Sequence, residues 1–289
     1  FCVDTDENNR KTKMVILECN NVCSSYGRYE VLHNITFYVD RGDFVGIIGP
    51  NGSGKSTLLK TCAKILKPAS GKILLNNIDI NTISIQKFAR DVAFLPSDIE
   101  IVYPYTVREL LLMARYPFLR TFRGPSKADF EAIIDVARQL ELTPFMEKNI
   151  FQVSEGEKQR VMLAQCLVQE PKLIFLDEPT AHLDIGFQFS FLDLLKIYQK
   201  KYLLSILVVL HDLNLASQYC DKIVLLDKGN VCISGTPSEV LNYQILEKVY
   251  QTSVLVYPHP LSGKPYVFGV PTEWKTFRKF GHTDSSSDV

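Results

Sequence analysis

Phe44-Val-Gly-Ile-Ile-Gly-Pro-Asn-Gly-Ser-Gly-Lys-Ser-Thr57 is the stretch from which the rest of the chain is read. Phe44 to Ile48 is a short, nearly continuous apolar run, the pattern of a central strand buried on both faces. It ends in Gly49, Pro50, Asn51, Gly52, Ser53 and Gly54, after which Lys55 to Leu66 reads as a helix stopped by Pro68 and Gly71. The spacing G-x-x-x-x-G-K-S between a strand and a helix belongs to a loop that wraps phosphates. Its glycines let backbone amides turn inward, and the helix start adds its positive dipole end. Lys55 is placed to reach the β- and γ-phosphates of a nucleotide, and the Ser56 hydroxyl to ligate Mg²⁺.

Ahead of this loop, Val15 to Cys19 and Ile35 to Val39 read as strands, and Arg41-Gly42-Asp43 as a turn. Beyond it, Lys72 to Leu75 begins another strand. The middle of the chain changes to helical patterning over about 98–165. Thr106-Val-Arg-Glu109 and Ser154-Glu-Gly-Glu157 both have capping-box spacing, and Ser126 opens an amphipathic helix running to about Leu140. Buried strands resume at Lys172 to Leu176 and Ser205 to Leu210, entering Asp177-Glu178 and His211-Asp212. Ile223 to Leu226 and Val231 to Ile233 flank a turn at Lys228-Gly-Asn230, and Thr236-Pro-Ser-Glu239 starts a helix with Pro at its first position. Residues 1–13 read as a flexible start and 14–250 as one domain. An extension follows over 251–289, whose polar end (283–289) is expected to be disordered.

Composition narrows the function. Hydrophobic residues are 46% and charged residues 22%, ordinary for a globular protein. Lys plus Arg and Asp plus Glu are 32 each, so there is no global attraction for a polyanion and no nucleic-acid partner is expected. The longest nearly unbroken apolar run, Tyr202 to Leu210, falls short of the roughly 20 residues of a membrane helix. Phe1 to Lys13 lacks the apolar core of a signal peptide. Seven scattered cysteines without zinc-like spacing fit reduced, inert thiols.

Lys172-Leu-Ile-Phe-Leu-Asp177-Glu178 runs four apolar residues into two carboxylates. Such a strand delivers Asp177 to the Mg²⁺ shell and sets Glu178 to take a proton from an attacking water. In order along the chain stand Gly49 to Thr57, Val153-Ser-Glu-Gly-Glu157, Leu176-Asp-Glu-Pro-Thr180, Ala181-His-Leu-Asp184 and His211. This series resembles the ATPase subunit of ABC transporters, over roughly Val15 to Tyr250. The resemblance implies an α/β fold: a P-loop NTPase core with a mixed sheet, an inserted helical subdomain and an antiparallel β subdomain. It makes Val153 to Glu157 the signature motif, with Ser154 and Gly156 facing nucleotide, Ala181 to Asp184 the D-loop, and His211 the switch histidine. Tyr26 matches the aromatic residue that stacks on adenine. The cofactors implied are ATP and Mg²⁺, and the assembly a head-to-tail dimer of two copies with two ATP molecules between them.

Two positions depart from the family pattern. Ser97 stands after Phe94-Leu95-Pro96 where a Gln usually helps hold Mg²⁺, a shorter arm toward the metal. Glu155 stands where Gly is usual; a carboxylate about 8 Å from a phosphate charge costs roughly 2 kcal/mol at an effective dielectric near 20, unless it points to solvent. Ala114-Arg-Tyr-Pro117, His211-Asp-Leu-Asn-Leu-Ala216, Gly235-Thr-Pro-Ser-Glu-Val240 and Ile245-Leu-Glu-Lys-Val-Tyr250 resemble the branch that energises uptake of iron-siderophores, haem and cobalamin. That implies transmembrane permease subunits, a substrate-binding protein in the full system, and a cytoplasmic place on the inner face of the cell membrane. Ile99 to Tyr105, apolar for a loop, is either a permease docking surface or ordinary packing under the subdomain. Two other readings stand beside transport: a soluble ABC-type ATPase of an assembly machinery, and a weakly hydrolytic regulatory subunit.

Overall fold

A computed structural model describes residues 14–119, 124–181, 183–271 and 273–274. The expected flexible start, the expected disordered end at 283–289, and His182 lie outside the described residues.

The chain opens with two long strands, β1 (Val15–Tyr26) and β2 (Tyr29–Asp40), then β3 (Phe44–Ile48) and α1 (Lys55–Cys62). β4 (Ser70–Leu75), β5 (Ile78–Asp79), α2 (Ile85–Asp91) and β6 (Val92–Leu95) follow. The inserted helices are α3 (Val107–Met113), α4 (Lys127–Gln139) and α5 (Glu155–Val168). The core resumes with β7 (Leu173–Asp177), α6 (Ile185–Tyr202), β8 (Ser205–Val209), α7 (Leu213–Tyr219), β9 (Lys222–Asp227) and β10 (Asn230–Gly235). Last come α8 (Pro237–Val240), α9 (Tyr243–Tyr250), β11 (Val254–Pro258) and β12 (Pro265–Gly269).

The main sheet has the order β10-β9-β3-β8-β7-β6, parallel from β9 to β6 and closed by antiparallel β10. Every residue of β3, β7 and β8 is buried, which explains their unbroken apolar runs. Strand alternation sends Phe44 and Ile48 into one core, with the inserted helices and α6–α9. Val45 and Ile47 point into the other, with α1 and the antiparallel sheet β2-β1-β4-β5. Each such side chain contributes about 1.5–3 kcal/mol by leaving water.

Each inserted helix starts on a capping box: Thr106 with Glu109, Ser126 with Asp129, and Ser154 with Glu157. Arg115 ties the three together. Its Nε donates to Asp129 Oδ1 at 2.8 Å, and its Nη1 to Val168 O at 2.6 Å and Glu170 Oε2 at 2.9 Å. The Phe118 ring lies against the guanidinium. The Arg-Tyr-Pro segment thus locks the helices as well as ending one.

Three elements differ from the sequence expectation. The helix α1 stops at Cys62, because Lys64 turns left-handed (φ 62°) and the Ile65 and Leu66 amides both return to Lys60 O. β1 runs on to Tyr26, absorbing irregular pairing near Cys19–Ser25 with Asn21 left-handed. The extension contains a hairpin, β11–β12, anchored on α7 by Asn214 Nδ2 to Val267 O and Ser217 Oγ to Pro265 O. Among the described residues no helix is long and apolar enough to cross a membrane.

Burial opposes ionisation of Asp129, but hydrogen bonds from Ser126 and the Arg115 guanidinium outweigh it and hold the carboxyl below its ordinary 3.8. Its contribution is therefore complete above pH 3.8 and fades as pH falls through the lower folded value. Arg115→Ala is expected to lose about 3–5 kcal/mol in urea unfolding at pH 7. The Asp129 share of that loss should shrink as pH falls below 3.8 and vanish only below the lowered folded value.

Candidate active site

The parallel register lines up the ends of β3, β8 and β7 and so builds the site. Gly49 to Gly54 turns from β3 into α1, with Gly54 left-handed (φ 98°) as the cap of α1. A Cβ on Gly49 would lie 2.2 Å from Leu226 O, and one on Gly54 2.7 Å from Leu32 Cδ2, so both places demand glycine. Buried Lys55 curls back through the loop and donates Nζ to Gly49 O at 2.9 Å and Pro50 O at 3.0 Å. Burial lowers its pKa, while Glu178 and Asp177 pull the other way. The Tyr250 hydroxyl, at the end of α9, meets the Gly49 backbone; burial pushes that phenol up to about 12 against the Gly49 hydrogen bond.

β7 brings its carboxylates to this loop. Ser56 Oγ donates to Asp177 Oδ1 at 2.9 Å, while Asp177 Oδ2 is buried without a hydrogen-bond partner. Burial raises the Asp177 pKa, Ser56 opposes it, and Glu178 adds to it. An orphaned buried carboxylate oxygen beside a hydroxyl suits a hard cation, because Mg²⁺ takes one or two carboxylates and completes its shell with phosphates and water. Among the described residues no group of three or more His, Cys, Asp or Glu able to hold a metal ion gathers here or elsewhere, so an ion at Asp177 would take the rest of its shell from phosphate and water.

Glu178 follows in a left-handed backbone conformation (φ 51°), a strained geometry for a side chain of this kind. Because Asp177 pairs with Val209 across β7 and β8, the residues just past each strand end meet. His211 Nε2 lies 2.6 Å from Glu178 Oε1. A carboxylate oriented by an imidazole at the edge of a phosphate loop has the parts for deprotonating a water.

Glu178 also lines a cleft of ≈ 380 Å³ with Ser97, Asp98, Glu155, Lys158 and Met162. Ser97 Oγ reaches Asp98 Oδ2 only at 3.5 Å, on its short arm. Glu155 is 64% exposed, with Lys158 Nζ at 3.8 Å. Ile99, Ile101 and Tyr105 pack against the main core while Val102 and Tyr103 are exposed, so this loop both packs and presents a surface.

The remaining expected residues lie on other edges. Tyr26 ends β1, half-exposed at the hairpin to β2. Ser154 caps α5, Gly156 is buried in its first turn, and Asp184 caps α6 by accepting from the Phe187 amide at 2.9 Å. Two contacts escaped the sequence reading: Tyr250 on Gly49, and Phe187 on Gly156. An apolar ring in the first turn after a capping Asp was the available signal for the second.

A family model described as ABC transporter matches residues 32–181. The ferric enterobactin transport ATP-binding protein FepC of Escherichia coli K12 is 34% identical over 84% of this chain and 89% of its own. This chain belongs to the ABC transporter ATPases. The petrobactin import ATP-binding protein FpuD of Bacillus anthracis is also 34% identical, over 86% of this chain and 91% of its own. The dimeric structure of MJ0796, a bacterial ABC transporter cassette, superposes with a TM-score of 0.67 at 27% identity, covering 77% of this chain and 99% of that one. As an ABC ATPase, the chain binds ATP and hydrolyses it to drive transport, and its folded layout is the α/β family fold expected from its motifs.

Asp177 carries a sign that can be tested. Its raised folded pKa means that ionisation opposes folding as pH rises past the ordinary 3.8. Nucleotide-free Asp177→Asn should therefore melt at or above the wild-type temperature at pH 7. Adding Mg²⁺ to ATP should give the variant no further stabilisation, in contrast to wild type.

Proposed function

We propose that this ATPase energises import of iron chelates of the siderophore class. Two copies close head to tail on two ATP molecules beneath a pair of transmembrane permease subunits, at the cytoplasmic face of the membrane, with a substrate-binding protein delivering the cargo. The observation that carries the catalytic part is the Glu178–His211 pair standing beside Asp177 and the Lys55 loop. The cargo assignment draws on relatives named for ferric enterobactin and petrobactin, together with the Arg115-Tyr-Pro117 and His211-Asp-Leu-Asn214 segments. Neither of those names mentions haem or cobalamin.

Lys55 exchanges the carbonyls of Gly49 and Pro50 for the β- and γ-phosphates, and Tyr26 stacks on the adenine. Ser56 and Asp177 would hold Mg²⁺, with Ser97 as a further oxygen donor on a shorter arm; the bound ion would supply positive charge against the phosphate oxygens. Glu178 accepts the proton of the attacking water, and His211 keeps that carboxylate aimed and bonds the γ-phosphate. Ser154 and Gly156 of the opposite copy close the site, and Asp184 lies along the seam.

Lys55→Ala should abolish ATP binding in a nucleotide titration; retained binding would refute the phosphate-loop role. Glu178→Gln should lower turnover by about 10²-fold or more while leaving binding intact. With ATP and Mg²⁺ that variant should elute as a dimer in gel filtration, and a monomer there would defeat the sandwich. Reconstitution with candidate permeases in lipid, comparing ferric siderophore with haem and cobalamin uptake, tests the cargo.

A further inference from the structure

Gly156 is the second residue of α5, and Phe187 the third of α6. A methyl built on Gly156 would sit 2.4 Å from Phe187 Cε1, 2.7 Å from Cδ1 and 2.8 Å from Cζ. The ring therefore rests directly on the glycine backbone, in the space a side chain would need. It is still 41% exposed, so one part is seated on α5 and the other reaches the surface. The main chain of the same residue is pinned: its amide donates to Asp184 Oδ1 at 2.9 Å. On the facing side, Ser154 Oγ accepts from the Glu157 amide at 3.3 Å, and the Ser154 amide donates to Glu157 Oε2 at 2.7 Å. Two rigid helix starts thus touch through one aromatic ring.

We propose that Phe187 is a positioning residue for the dimer reaction. Seated on Gly156, its ring sets the angle between the Asp184 turn and the Ser154–Gly156 helix start, and presents both to the other copy as one surface. This rests on the ATP-sandwich reading above. It also gives the glycine at 156 a reason within its own chain: any side chain there unseats the ring.

The test is ATP-dependent dimerisation in the Glu178→Gln background, followed by sedimentation, with ATP affinity of the separated subunits measured in parallel. Phe187→Ala, Gly156→Ala and the double variant should each weaken dimerisation by about tenfold, because all three remove the same seated contact. Phe187→Tyr should keep the parent's dimer strength, since the ring is retained. ATP affinity of the separated subunits should be the same in all four, a quantity that general destabilisation would lower. An additive double variant, about 100-fold weaker, would mean that Phe187 and Gly156 act independently and not through one seated contact, and would overturn the proposal. So would a Phe187→Ala protein that dimerises like its parent, a result available even if Gly156→Ala does not fold. If the Glu178→Gln parent itself stays monomeric, the sandwich reading falls first and this role with it.

Discussion

The site depends on three parallel strands finishing level with one another. β3, β8 and β7 are hydrogen-bonded neighbours with a common direction, so a loop, a histidine and a pair of carboxylates leave the sheet at one edge. Their side chains are buried on both faces, and a slip of one residue would send Phe44, Ile48, Ile206 and Val208 into the wrong core. Hydrophobic packing therefore fixes the distance between Glu178 and His211. The polar pair is a consequence of apolar register.

That placement is costly to the fold. Lys55 is buried, Asp177 has an oxygen without a partner, and Glu178 adopts a backbone shape that few side chains tolerate. These are among the positions where local consistency is broken, as expected where function opposes stability. Many polar groups elsewhere are satisfied within the chain, although Arg160 Nε and the Tyr198 hydroxyl are also buried without a hydrogen-bond partner. Three of the helices discussed above begin on reciprocal caps, and Asp221 accepts bonds from the Phe44 amide, Lys196 and Gln199.

Much of this was legible in the residues. The apolar runs at 44–48, 172–176 and 205–210 announced the buried strands because complete burial leaves no alternation to misread. Ser56, Asp177, Glu178 and His211 were legible because each follows such a run at a fixed offset. What escaped depends on tertiary contact. The end of α1 is decided by a left-handed lysine, the course of β1 past Cys19 by bulged pairing, and the hairpin at 254–269 by anchoring on α7. The ring of Phe187 could be read as exposed or buried from its neighbours alone, since its partner lies on another helix.

Arg115 has a mechanical meaning. One guanidinium grips the start of α4 and the end of α5 from the end of α3, with its hydrogen bonds inside the protein. Three helices riveted at a single point cannot bend independently. A displacement of any one of them loads bonds held by the other two, so the insertion answers to force as one body.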